Sequence, residues 1–111
     1  MTDEQRDAVC ILAHVYLRNG RADLALPLLM ALCSLFPRDG SALALLSWAL
    51  LANGDGRAAS RAATEASMLK LRPEQKRAVF LIKSKALWQL GSTEESRAAL
   101  DEYRKLQHEF S

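Results

Sequence analysis

Cysteine, proline, glycine and aromatic side chains are all scarce in this chain of 111 residues, and each scarcity narrows what it can be. The two cysteines, Cys10 and Cys33, form no CxxC and are too few for a zinc site. Each lies in an apolar run, so both read as reduced, buried thiols. Only three prolines and five glycines occur, and most fall where a helix should stop, which leaves long stretches uninterrupted. No apolar run is long enough for a bilayer: residues 42–52 form the longest and are broken by Ser47, so no membrane insertion is expected. The opening MTDEQRDAV is acidic and polar, unlike a signal peptide, and a cytoplasmic location is expected. A formal net charge of +2 is too weak to imply nucleic acid.

Catalytic signatures are missing as well. His14 and His108 stand near opposite ends of the chain, and no phosphate-binding glycine loop, nucleophile motif or paired metal-ligand spacing occurs. The GDGR at 54–57 lacks the flanking ligands of a calcium or phosphate loop. The sequence therefore predicts no enzyme, no cofactor and no metal.

What is present is a helix former's composition, with half of the residues apolar, arranged in a repeat. Gly20, Gly54 and Gly91 each follow an apolar segment and precede an Ala-rich one, at separations of 34 and 37 residues. Seven residues before each glycine stand Ala13, Ser47 and Ser84; five after stand Ala25, Ala59 and Ser96. Nine after stand Leu29, Ala63 and Leu100. Two antiparallel helices joined by a tight turn need Gly where the chain leaves the first helix. They need small residues where they cross and larger ones to either side. This predicts an all-α chain of six helices, at 4–18, 22–36, 40–53, 56–70, 74–90 and 93–109. It forms one domain over 1–111, with repeats at about 6–39, 40–73 and 77–110. The extra residues before Pro73 are expected to lengthen the fourth helix or its following loop. Pro27, well inside the second helix, predicts a kink or a later start.

These residues resemble the tetratricopeptide repeat over about residues 6–110, with departures at Lys83, normally large and apolar, and at Ser96, normally Ala. The resemblance implies three helix-turn-helix units stacked as a short right-handed superhelix, whose first helices line a concave groove. The inward positions of such units lie ten, six and three residues before the turn glycine. Here they hold Cys10, Ala44 and Leu81; His14, Trp48 and Lys85; Leu17, Leu51 and Trp88. Seven of these nine are apolar and both tryptophans are among them, so the groove is expected to bind a protein partner through an apolar segment. Turned the other way, Trp48 and Trp88 would fill the core between repeats. The Lys/Asn clamp that related receptors use for acidic chaperone tails is absent. The basic run Lys70, Arg72, Lys76, Arg77, Lys83 and Lys85 reads as a solvated face that can also ring the groove. The first and third helices are apolar nearly all round, and Leu100, Leu106 and Phe110 have no following helix, so a partner or a homodimer is expected to cover them.

AHVYLRNGRADLALPLLMALCSLFP at 13–37 and ALWQLGSTEESRAAL at 86–100 further resemble the small tetratricopeptide chaperones of bacterial type III secretion, YscY type. That resemblance implies a cytoplasmic chaperone whose groove holds a YscX-like secreted export-apparatus protein until it is secreted. A needle-subunit chaperone of the same system and a general protein-protein adaptor are the alternatives.

Overall fold

The computed structural model describes residues 1–109, which form six helices and, among the described residues, no strand. They are α1 (Asp3–Arg18), α2 (Ala22–Leu35), α3 (Gly40–Ala52), α4 (Gly56–Ser67), α5 (Pro73–Gln89) and α6 (Thr93–Glu109). Consecutive helices pack in antiparallel pairs, and α3 also touches α1 and α5, so the three pairs stack side by side as a short right-handed superhelix.

The turn inside each pair is built three times in the same way. Gly20, Gly54 and Gly91 take φ of 73°, 83° and 79°, the left-handed conformation a side chain would strain. Around Gly20 its own N–H donates to the Leu17 carbonyl and the next N–H, of Arg21, donates to the Tyr16 carbonyl. Gly54 with Asp55, and Gly91 with Ser92, repeat both bonds. These are Schellman turns, which satisfy carbonyls that a helix end leaves free and reverse the chain within three residues. Helix starts are capped by Thr2, whose Oγ1 accepts from Gln5 N–H, and by the carboxylates of Asp39 and Asp55.

Small residues stand where the paired helices cross. Ala13, Ala25, Ser47 and Ala59 are wholly buried, and Ser84 and Ser96 nearly so. In the third pair the two serines bond reciprocally: Ser84 Oγ donates to the Ser96 carbonyl at 2.9 Å, and Ser96 Oγ donates to the Ser84 carbonyl at 2.7 Å. Ser96 thus departs from Ala without loss of close approach, because its hydroxyl is satisfied across the crossing.

Three expectations need refinement. α4 ends at Ser67, and Pro73 is the first residue of α5, so the extra residues between the second and third pairs fall in the connector 68–72 and in α5, not in α4. Proline suits that first position, where no helical N–H is needed. α2 begins at Ala22 and continues through Pro27, so of the two outcomes expected of that proline the later start does not occur. On α3 the packing of α1, α2, α4 and α5 buries Ala42, Leu43 and Ala49, while Ala44, Leu45 and Trp48 stay half-buried. Leu106 is buried and Leu100 half-buried; Phe110 lies outside the described residues. On α1 the expected surplus is real: Ile11, Leu12 and Val15 are 65%, 43% and 48% exposed.

Candidate protein-binding groove

The first helices of the three pairs, α1, α3 and α5, form the walls and floor of a concave cavity of about 340 Å³. α1 supplies Cys10, Ile11 and His14; α3 supplies Ser41, Ala44, Leu45 and Trp48; the start of α5 supplies Glu74, Gln75, Ala78 and Ile82, with Arg72 just before it. One end is apolar, around Trp48, Leu45, Ala78 and Ile82. At the other end the groove continues into a second cavity that shares Cys10, Ile11, Ser41, Arg72 and Gln75 and adds the charged Arg6, Asp7, Asp39 and Lys70. Such a surface suits a segment with an apolar stretch beside polar or charged residues.

Its side chains are held from behind. Trp48 is half-buried, packs partly on the core of the first two pairs, and meets the His14 ring edge-on at 5.7 Å between centroids. Gln75 ties the α5 wall to the floor: its Oε1 accepts from Arg72 N–H, and its Nε2 donates to Ser41 Oγ on α3, each at 2.9 Å. Arg6 pairs with Asp39 at 3.5 Å and lies over the Phe36 ring, joining α1 to the start of α3. Burial raises the Cys10 thiol above its ordinary range, so at neutral pH it is a protonated, weakly polar lining group and no nucleophile.

Of the nine residues read as inward-facing, Cys10, His14, Ala44 and Trp48 line this cavity. Leu17 does not face the groove: it is 6% exposed and part of the core, because α3 packs over it. Leu51 is half-buried, lower on α3. Leu81, Lys85 and Trp88 lie along α5 outside the cavity, Trp88 with 67% of its surface exposed, so Trp88 is not a core residue. Of the basic run, Arg72 lines the cavity and Lys70 its continuation, while Lys76, Arg77, Lys83 and Lys85 line neither. The lining residues missed include those thirteen and nine residues before the turn glycine, Ser41 and Ala78, then Ile11, Leu45 and Ile82, whose helical spacing from the predicted positions was readable in the sequence. Glu74 and Gln75, in the first turn of α5, were missed as well.

Among the described residues no group of three or more His, Cys, Asp or Glu side chains gathers where a metal could sit, and no helix is long and apolar enough to cross a membrane.

No protein-family model and no curated protein matches the chain. Solved structures do. MamA of AMB-1 superposes with a TM-score of 0.79 at 23% identity, over 93% of this chain. MamA of MSR-1 superposes with a TM-score of 0.80 at 24% identity, over 96%. The chain spans 59% of the length of either structure. MamA is a tetratricopeptide-repeat protein, and the likeness, with the three superposable turns and crossings, gives this chain the tetratricopeptide-repeat fold.

Proposed function

We propose that this chain is a protein-binding module that holds an apolar segment of another polypeptide in the groove between α1, α3 and α5. The observation that carries the reading is the apolar end of that groove, where Trp48 is braced by His14 and the core yet still lines open space. Aromatic anchors in partly desolvated hollows are where binding energy concentrates in protein interfaces. Cys10, His14, Ala44 and Trp48 are the contact residues along the groove; Leu51, Leu81, Lys85 and Trp88 extend the surface along α3 and α5. The more specific role is that of a cytoplasmic type III secretion chaperone of the YscY type, keeping a YscX-like client from assembling early. It rests on the sequence resemblance at 13–37 and 86–100, with a groove suited to an apolar client in support.

Co-expression tests both levels. A YscX-type protein should co-purify with the wild-type chain, and Ala44→Arg, which fills the groove floor, should release it while the helical spectrum stays unchanged. Retention of a needle subunit instead would move the assignment to that chaperone class. Undiminished retention by Ala44→Arg would overturn the groove itself.

A further inference from the structure

The first and third pairs each expose one half of a contact that the molecule already makes internally. Where the second pair stacks on the first, α3 presents Ala42, Leu45, Leu46 and Ala49 to it, and Ala42 and Ala49 are wholly buried there. The same repeat positions of α5 are Val79, Ile82, Lys83 and Ala86, and Val79 and Ala86 are again wholly buried. On α1 those positions are Ala8, Ile11, Leu12 and Val15, and all four are exposed.

The opposite edge behaves in the mirror sense. Leu17 and Leu29 of the first pair are 6% and 0% exposed, because α3 covers them. Their counterparts in the third pair are Trp88, at 67%, and Leu100, half-buried. A polar group repeats the pattern. Arg6 of α1 pairs through Nε with Asp39 at the start of α3, the first helix of the following pair. Arg77 holds the same repeat position on α5, and its Nε is buried with no hydrogen-bond partner. On α1 the repeat position of Asp39 holds Gln5, with the acidic side chains Asp3, Glu4 and Asp7 on either side of it. The charge of the two halves agrees: residues 1–56 hold four basic and six acidic side chains, residues 57–111 eleven and seven.

The geometry points to a head-to-tail contact in which a second copy of this chain docks its α1 on the α5–α6 end, as α3 docks on α1 and α2. This goes beyond the groove reading: Ile11 also lines the cavity, but Leu12 and Val15 lie outside it, and the contact is tested with no client present. Joining unlike surfaces leaves a free end on the dimer, so the assembly grows past two copies.

Sedimentation velocity in the absence of any client tests it, with Val15→Glu and Trp88→Glu, each placing a carboxylate on one exposed edge. The wild-type mass should rise steadily with concentration past the dimer and fall with added salt. Each variant alone should self-associate roughly tenfold or more weakly, as expected for an unpaired charge in an apolar contact. An equimolar mixture should give a one-to-one dimer that grows no further, because one intact edge remains on each partner. A wild-type chain monomeric up to its solubility limit, a closed dimer that both variants retain, or a mixture that stays monomeric would each overturn the proposal. Should either variant lose its helical spectrum, Leu12→Lys and Arg77→Gln probe the same two edges, with the same outcomes.

Discussion

Gly40→Ala sets two known effects against each other, and the structure decides between them. Gly40 is the first residue of α3, behind the Asp39 cap, at a backbone conformation open to any residue. By helix propensity alone, alanine there would stabilise by about 0.5–1 kcal/mol. A Cβ, however, would stand 2.6 Å from the Lys70 carbonyl oxygen and 2.9 Å from Leu71 Cδ2. The carbonyl belongs to the connector between α4 and α5, which must shift by several tenths of an ångström to accept a methyl group. Overpacking of this kind costs about 1–3 kcal/mol, so a net loss of about 1–2 kcal/mol is expected. Gly56→Ala is the internal control. Its Cβ meets the Ala86 carbonyl and Gln89 Oε1 at 3.1 Å, a milder approach that should leave stability near that of the wild type. Urea unfolding of the three proteins, at unchanged m, measures the difference. Gly40→Ala at or above wild-type stability would refute the close approach, and with it the placement of the connector that carries Arg72 to the groove wall.

Ser84→Ala and Ser96→Ala should each cost about 0.5–1.5 kcal/mol in urea titrations, since each removes one buried hydroxyl donor while the carbonyl it served remains. Because the acceptors survive, the double variant should come close to the sum of the two, apart from the 3.1 Å contact between the hydroxyls. Trp48→Ala should lower folding stability by about 2 kcal/mol, below the range for a fully buried tryptophan, whereas Trp88→Ala should stay within about 0.5 kcal/mol under dilute conditions. Burial pushes the Cys33 thiol up to about 11, so between roughly pH 9 and 11 the unfolded chain binds fewer protons than the folded one. Stability should therefore fall as pH rises through that window, and fall less steeply in Cys33→Ala, as thermal melts of the two proteins would show.

Turns and crossings were legible in the sequence because each depends on a single local requirement. A positive φ needs Gly at 20, 54 and 91, and two backbones in contact need the small residues at 13, 25, 47, 59, 84 and 96. The boundary between α4 and α5 was not legible, since Pro73 can follow one helix or begin the next and only packing chooses. Which expected residues line the cavity was not legible for a related reason. A position such as three before the glycine has no fixed environment: Leu17 is 6% exposed and part of the core, while the equivalent Trp88 is 67% exposed. The apolar run of α3 serves two purposes that its sequence does not separate: Ala42, Leu43 and Ala49 are buried by neighbouring helices, while Ala44, Leu45 and Trp48 line the groove.

The most direct test of groove binding uses Trp48 as its own reporter. In Trp88→Phe it is the sole tryptophan, half-buried at the apolar end of the cavity. Titration with a tryptophan-free apolar segment of a YscX-type protein should shift its emission to the blue, saturably, and Ala44→Arg should abolish the shift. Tight binding that leaves the Trp48 emission unchanged, or that survives Ala44→Arg, would contradict a client held in the groove.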